Sequence, residues 1–335
     1  RSFHVTGVQT CALPISAKLA TGPVEDYRID FEDGYGYRSN EEEDAAAKNA
    51  ADQIQAGIDA GSLPPLLGIR IKPLSPLSRE RALRTLRIFQ ESARQLPEGF
   101  VVTLPKVTTP EQIAELAGET PLPLEAMIET PGALRQLRAI VDAGKDAGKE
   151  RCRGVHFGPY DYLSNLGIAG TARGLGHPAC HFARSTMQVE LADSGVWLSD
   201  GPTSTIPVPP KETMERAWRM HYANVRQALE NGFYQGWDLH PAQFIARYAA
   251  VYTFLLEGLD EAATRLKNFS EEAGQATRIG ATFDDAATAE GLLLYVKRAI
   301  GCGAISEEEA SARTGLSVKE LRMTSFIPIM QARRS

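Results

Sequence analysis

Two short apolar runs, each closed by a carboxylate, decide the fold of this chain: Leu124-Glu125-Ala126-Met127-Ile128-Glu129 and Gly154-Val155-His156-Phe157-Gly158-Pro159-Tyr160-Asp161. Both runs are typical of buried strands in a parallel sheet. The 32 positions between Glu129 and Asp161 fit one strand-helix-strand unit, which places consecutive strands side by side. Because the carboxyl ends of parallel strands share one rim, the two acids are predicted to lie together, where they could hold a hard divalent cation.

Short apolar strands alternating with helical segments continue on both sides of these runs, which is typical of parallel α/β architecture. Helix starts are also predicted: Asn40 with Glu43 fits a capping box, and Thr109-Pro110 with Gln112 fits an N-cap with a first-turn proline. The pattern predicts seven strands: Tyr27–Phe31, Leu67–Ile71, Phe100–Leu104, Leu124–Ile128, Gly154–Phe157, Gly195–Leu198 and Phe233–Leu239.

Seven parallel strands do not normally close into a barrel, whereas eight do. The predicted fold class is therefore α/β, a (β/α)8 TIM barrel that lacks its first strand-helix unit. The segment Val5 to Ile15 matches the translation of a common sequencing-adapter oligonucleotide, so residues 1–16 are interpreted as an artefact that replaced the authentic start. We expect a gap or makeshift filling beside the strand that contains Arg28.

After residue 243 the pattern changes to helices and gives no strand signal. The predicted organisation is an artefactual segment 1–16, a truncated TIM-barrel domain 17–243 and a helical C-terminal extension 244–335, packed beside the barrel or against another subunit. The helices predicted in this extension are Phe244–Leu259, Glu261–Ala273, Ala286–Ile300, Ser306–Ala312 and Val318–Met323.

Composition narrows the class of protein. The chain has 335 residues and a net charge of -6, with 43% hydrophobic and 23% charged residues, which is ordinary for a soluble domain. It has no long basic run and no apolar stretch of about 18 residues, so neither a nucleic-acid surface nor a membrane span is predicted. The scattered cysteines favour a reduced, cytoplasmic setting over a disulfide framework or a zinc site: Cys11, Cys152, Cys180 and Cys302.

Arg70 and three acids accompany the carboxylate pair at the predicted rim. Arg70 ends an apolar strand, where its guanidinium requires an anion, either a substrate carboxylate or enolate oxygen or an internal salt-bridge partner, Glu32 or Glu129. Strand alternation puts Asp30 and Glu32 on one face, and Asp33 follows in the turn. These acids could orient metal-bound waters or pair with Arg70. In the structural alternative, Glu129 pairs with a basic residue and Asp161 caps a helix.

Three further residues are possible reacting groups. Lys106 in Leu104-Pro105-Lys106-Val107 could form a Schiff base, although an anion-pairing role is favoured. His156 and His240 could transfer protons, and the alternative for a histidine within a strand is a satisfied core residue. No phosphate-cradling loop and no serine-hydrolase elbow occur in the sequence.

Taken in order, the motifs resemble the HpcH/HpaI aldolase and citrate lyase beta-chain family, within the pyruvate/phosphoenolpyruvate-binding TIM-barrel superfamily. The resemblance extends from about Ile29 to Gln243, and the chain departs from the family pattern at Lys72, at Trp237 and in its longer tail. The segments that carry it are Ile29-Asp30-Phe31-Glu32-Asp33-Gly34, Ile69-Arg70-Ile71, Leu104-Pro105-Lys106-Val107, Ile128-Glu129-Thr130, Phe157-Gly158-Pro159-Tyr160-Asp161 and His240-Pro241-Ala242-Gln243.

The resemblance implies that Glu129 and Asp161 bind Mg²⁺, with Mn²⁺ as a possible substitute. It also implies that Arg70 contacts the substrate oxyanion and that Glu32 with Asp33 supports the metal-bound waters. The expected activity is that of a carbon-carbon lyase of the aldolase type, acting on a 2-oxo acid, 2-hydroxy acid or acyl-coenzyme A substrate through a metal-stabilised enolate. A homo-oligomer is expected, with no nucleic acid or membrane as partner.

The residue that accepts the substrate proton stays open. The candidates are a metal-bound water, His156, His240, and Asp284 or Asp285 of a neighbouring subunit. Two other functions stay open as well: phosphoryl transfer with phosphoenolpyruvate on the same barrel, and a non-catalytic barrel protein that uses its tail for assembly.

Overall fold

The computed structural model describes residues 6–146, 149–271, 277–279, 282–284 and 286–334. The chain divides into two compact units. The first, here called the sheet unit, comprises Val24–Ile206 and Glu230–Pro241. The second, the helical unit, comprises Arg1–Pro23, Pro207–Leu229 and Ala242–Ser335.

The sheet unit is built around seven strands that are hydrogen-bonded in chain order. Every neighbouring pair is parallel, which confirms the predicted parallel α/β architecture. The strands are β1 (Asp26–Asp30), β2 (Leu66–Arg70), β3 (Val101–Leu104), β4 (Leu124–Ile128), β5 (Cys152–Phe157), β6 (Trp197–Asp200) and β7 (Gln235–Gly236). Four of the five central strands are buried along nearly their whole length, as expected when helices cover a sheet.

The sheet is curled, because its first and last strands come within side-chain reach of each other. Gln235 in β7 donates a hydrogen bond of 3.0 Å from its side-chain amide to Asp26 in β1. Within the described strands, β1 and β7 share no backbone ladder and are the edges of the sheet. The opening of the sheet therefore lies beside the strand that contains Arg28.

Helices connect successive strands of the sheet unit. Thr109 and Gln112 cap one of them as predicted, with Pro110 as its first residue. The capping box expected at Asn40 and Glu43 is wrong by one residue: Ser39 and Glu42 form it, and Glu43 is buried instead. The helices are α2 (Asn40–Ala60), α3 (Arg79–Ser92), α4 (Pro110–Glu119), α5 (Pro131–Arg135), α6 (Leu137–Asp142), α7 (Pro159–Asn165) and α8 (Pro178–Leu191), with a 3-10 turn at Gly170–Ala172.

The helical unit has a separate apolar core around Tyr252, Leu266, Leu293 and Val296, into which Ile15 also packs. Its helices are α1 (Thr6–Thr21), α9 (Lys211–Glu230), α10 (Phe244–Glu257), α11 (Leu259–Glu271), α12 (Ala286–Gly301), α13 (Glu307–Thr314), α14 (Val318–Leu321) and α15 (Phe326–Arg334), with a 3-10 turn at Pro241–Gln243 preceding α10.

Two short antiparallel hairpins were not predicted. One pairs Lys145–Asp146 with Lys149–Glu150. The other pairs Thr277–Ile279 with Thr282–Asp284, so the expectation of a tail without strands is wrong. Helix α15 was also missed. Among the residues that the structure describes, no helix combines the length and the apolar character that a membrane span requires.

Candidate active site

Glu129 follows β4 directly and is only 6% exposed. Its Oε2 accepts a hydrogen bond of 2.6 Å from the backbone N–H of Lys106. Its side chain lies over Gly158 at the end of β5, where a Cβ atom would overlap the Glu129 carboxyl group. Burial raises the pKa of Glu129 to about 7; the hydrogen bond from Lys106 opposes this rise, and the negative charge of Asp161 adds to it.

Asp161 is the third residue of α7, just beyond the end of β5. Since β4 and β5 are adjacent and parallel, Glu129 and Asp161 lie at the same end of neighbouring strands. The Asp161 side chain is 44% exposed, and its Oδ2 is 3.6 Å from Nζ of Lys106. The structure thus brings the two predicted ligands together with one exposed and one buried carboxylate. Their role in binding a metal stays a prediction.

Lys106 lies among these acids and contacts most of them. Its ammonium group pairs with Glu32 and, at 2.9 Å, with Asp33. Burial alone would lower the pKa of Lys106, but Glu32 and Asp33 raise it, so the amine stays protonated. A protonated amine cannot attack a carbonyl, which favours the anion-pairing interpretation over a Schiff base. We call Glu32, Asp33, Lys106, Glu129 and Asp161 the rim cluster.

Arg70 lies below the rim cluster, and most of its donors are already engaged. Its Nε and Nη2 donate hydrogen bonds of 2.7 and 2.6 Å to the two carboxylate oxygens of Asp30. Its Nη1 is 3.4 Å from Glu32 and 3.5 Å from the sulfur of Met127. The predicted internal ion pair therefore exists, mainly with Asp30. Nε and Nη2 are thus engaged by Asp30, and Nη1 is the nitrogen that faces Glu32 of the rim cluster.

A second set of charged side chains, which the sequence did not reveal, lies deeper on the same face of the sheet. Glu125 is fully buried, and its carboxylate accepts hydrogen bonds of 2.7 and 2.9 Å from Arg28 and 2.6 Å from Thr103. His156 Nε2 is 3.0 Å from the Glu125 Oε2 atom. We call Arg28, Thr103, Glu125 and His156 the buried cluster. The sequence did offer one sign of this cluster: Glu125 is a charged residue in the middle of an otherwise apolar strand.

The candidate proton acceptors have different surroundings. His156 is 3% exposed, and both of its ring nitrogens face protein side chains, Glu125 on one side and Trp237 on the other. His240 is exposed and immediately precedes the 3-10 turn Pro241–Gln243. Asp285 lies outside the described residues, and the side chain of Asp284 is likewise outside them.

Comparison with known proteins identifies the family of this chain. A family model described as "Domain of unknown function (DUF6986)" matches residues 3–329. The chain belongs to the DUF6986 family. A comparison with curated proteins gave no match.

Solved structures resemble this DUF6986 chain in fold. A citrate lyase from Burkholderia xenovorans LB400 is 20% identical, with a TM-score of 0.69 over 94% of each chain. A citrate lyase beta subunit from Mycobacterium tuberculosis, complexed with oxaloacetate and magnesium, is 21% identical, with a TM-score of 0.50 over 71% of this chain and 92% of its own. A Haloferax volcanii malate synthase is 16% identical, with a TM-score of 0.54 over 90% of each chain. At these identities the likeness shows a shared fold.

The rim cluster of the DUF6986 chain is suited to a hard divalent cation. Three of its carboxylates, those of Glu32, Asp33 and Asp161, face a single ammonium group, while the pKa of Glu129 is raised chiefly by burial, against the lowering effect of Lys106. In the part of the chain that the structure describes, no three His, Cys, Asp or Glu side chains converge as a ready-made metal cage. Mg²⁺ does not require one, since it commonly binds one or two carboxylates and fills its other positions with water and substrate oxygens.

Proposed function

We propose that this chain is a magnesium-dependent enzyme that cleaves or forms a carbon-carbon bond beside the carbonyl group of a 2-oxo acid, 2-hydroxy acid or acyl-coenzyme A substrate. The proposal rests on the positions of two carboxylates: buried Glu129 and partly exposed Asp161 lie just beyond the carboxyl ends of two adjacent parallel strands. The Mycobacterium tuberculosis structure of similar fold contains magnesium and oxaloacetate, which supports the same metal and a 2-oxo acid substrate class here.

In this proposal Glu129 and Asp161 hold the cation, which when bound supplies a Lewis acid toward the substrate carbonyl. The backbone N–H of Lys106 fixes the orientation of the Glu129 carboxylate. Arg70 directs Nη1 toward the rim cluster, where it would share the negative charge that develops on a substrate oxygen. Glu32 and Asp33 hold the Lys106 ammonium at the mouth of the site.

We assign proton transfer to His240 rather than to His156. His156 is buried between Glu125 and Trp237, so neither ring nitrogen is available to a substrate. His240 is exposed and follows β7, the last strand of the sheet, after a short connecting segment. A metal-bound water is the alternative acceptor in this proposal.

The finer architecture is part of the same proposal. The seven strands would be those of a (β/α)8 barrel without its first strand-helix unit, in agreement with the curl of the sheet and its opening beside β1. The division at residues 16 and 243, the cytoplasmic setting and the homo-oligomer stay predictions.

Pyruvate in D₂O provides a direct test, because enolisation exchanges the methyl protons for deuterium without any acceptor aldehyde. Proton NMR should show the methyl signal of pyruvate disappearing with wild-type protein and Mg²⁺, and persisting after chelation of the metal. Glu129→Gln should lower this exchange rate about a thousandfold, since a lost metal ion removes several kcal/mol of charge stabilisation. Glu98→Gln, at an exposed position of the sheet unit, is the matched control and should exchange at the wild-type rate.

Exchange that persists in Glu129→Gln, or that does not depend on a divalent cation in the wild type, would contradict the proposed function. Far-UV circular dichroism of each variant establishes that the fold is retained.

A further inference from the structure

Trp237 lies against Arg70 in the sheet unit. The guanidinium carbon of Arg70 is 5.1 Å from the centroid of the Trp237 ring, within the range of a cation-π interaction. Trp237 follows β7, the last strand of the sheet, whereas Arg70 ends β2. The guanidinium carbon of Arg70 therefore lies over an indole ring that comes from a distant part of the chain.

The indole is held in place from the other side. Its Nε1–H donates a hydrogen bond of 2.9 Å to Nδ1 of His156, and the two rings meet nearly edge to face, at 79°. Because an indole N–H can only donate, Nδ1 of His156 must accept, and the single proton of the neutral imidazole is on Nε2. Nε2 faces Glu125 Oε2 at 3.0 Å, although its N–H is not well aligned on that oxygen.

Glu125 anchors this chain of contacts within the protein. It is fully buried and is held by Arg28 and Thr103, from β1 and β3. Although burial would raise the pKa of Glu125, its contacts with His156 and Arg28 lower it well below the ordinary range, so the carboxylate stays ionised. Glu125 thus holds His156, and His156 in turn holds the indole of Trp237 and fixes the plane of its ring.

Two constraints from different residues then act on Arg70. Asp30 holds the Nε and Nη2 edge of the guanidinium, and the guanidinium carbon lies over the Trp237 ring. The remaining nitrogen, Nη1, lies 3.4 Å from Glu32 of the rim cluster. An edge contact alone allows the guanidinium to tilt about the line to Asp30, and the aromatic face restricts that tilt.

We propose that Trp237 is a positioning residue, which holds the guanidinium plane of Arg70 so that Nη1 faces the rim cluster and meets the carboxylate of a 2-oxo acid. The identity of this ligand rests on the proposed function; the restraint on Arg70 does not. An aliphatic side chain at position 237 would fill space but would give no attraction for the cation.

Trp237→Leu and Trp237→Phe test the proposal, since phenylalanine keeps an aromatic face and loses only the N–H donor. In ¹H–¹⁵N spectra of the ligand-free protein, the Arg70 Nε–H resonance is assigned as the signal that Arg70→Lys removes. This resonance should carry a ring-current shift from the indole, and Trp237→Leu should abolish that shift. Calorimetric titration with oxalate in Mg²⁺ should show about tenfold weaker binding in Trp237→Leu and only about threefold weaker binding in Trp237→Phe. Trp218→Phe is the matched control, because Trp218 also donates its indole N–H, to the Ala242 carbonyl at 2.8 Å in the helical unit.

An unchanged Arg70 resonance in Trp237→Leu would overturn the positioning role, and so would wild-type oxalate affinity in that variant. Equal losses in the Leu and Phe variants would also overturn it, since they would assign the effect to the N–H and not to the aromatic face. Failure of the wild-type protein to bind oxalate would contradict the proposed function alone, because the Arg70 resonance still decides the restraint.

Discussion

Glu125 lies in β4 and Glu129 directly follows that strand, four positions on; Glu125 lies over Gly154 of β5, and Glu129 lies over Gly158, which follows β5. Glu125 is surrounded by Arg28, Thr103 and His156. Glu129 accepts one backbone N–H and lies within the electrostatic influence of Asp161, whose negative charge raises its pKa further. Both carboxylates are buried, yet the pKa of Glu125 is lowered while that of Glu129 is raised to about 7. Burial alone therefore does not determine the pKa of a buried acid; the charged groups and hydrogen-bond donors around it decide the direction of the shift.

We expect the largest difference between the two acids when each is replaced by glutamine and the free energy of unfolding is compared. Glu125→Gln should lower the free energy of unfolding by about 3 to 5 kcal/mol, because it breaks a buried ion pair and leaves Arg28 and His156 without their shared partner. Urea unfolding monitored by circular dichroism measures this loss. A decrease below about 1 kcal/mol would mean that the buried cluster is not the structural anchor that its contacts indicate.

The two glycines that lie against these acids, Gly154 and Gly158, provide the next test. Gly158 has φ of -102°, so alanine fits its backbone, but the added methyl group would overlap the Glu129 carboxyl group. We expect Gly158→Ala to weaken Mn²⁺ binding about 10- to 100-fold, as displacement of a ligating group does. Gly154→Ala is the matched control, since its Cβ would be 3.3 Å from Glu125 Oε1, and it should leave Mn²⁺ affinity unchanged. Calorimetry compares the two, and equal affinities would place Glu129 outside the metal site.

The lowered pKa of Glu125 predicts that the stability of the protein falls as the pH is lowered. Below pH of about 4.5 the unfolded chain takes up a proton on this residue that the folded chain does not, so its contribution, fully present above that pH, is lost as the pH falls. Between pH 4.5 and 3.5 the wild type should lose about 1 kcal/mol more stability than Glu125→Gln. Urea unfolding at both pH values tests this, and parallel pH profiles would contradict it.

The smallest expected effect is that of Glu129→Gln on stability. This substitution removes a buried negative charge that faces Asp161, so the free energy of unfolding without metal should stay constant or rise by about 1 kcal/mol. Urea unfolding in the presence of a chelator measures it. A loss comparable to that of Glu125→Gln would erase the distinction between the two acids.

The sequence predicted the parallel α/β architecture from patterns that depend on local composition. Apolar runs located β4 to the residue, and strand alternation correctly grouped Asp30 with Glu32. The hairpin Thr277–Ile279 with Thr282–Asp284 was missed because strands of three residues carry almost no periodic signal. The capping box was shifted by one residue because Ser39 and Asn40 are both favourable N-cap residues.

For the candidate site, the sequence predicted the residues better than their partners. Asp30 and Arg70 are paired across β1 and β2 by register, which spacing along the chain does not determine. His156 and Trp237 meet although 81 positions separate them. Local patterns therefore indicated which side chains reach the rim, while the choice of partner depends on tertiary packing.

Lys106 has a φ angle of 50°, a left-handed conformation that glycine adopts more readily than lysine. Through this backbone it offers its N–H to Glu129, while its side chain reaches Glu32. Glycine at position 106 would keep the first contact and remove the second. A substitution can thus separate the backbone contact from the side-chain charge, and a small amine such as methylammonium, added to Lys106→Gly, would be a diffusible replacement for the missing side chain.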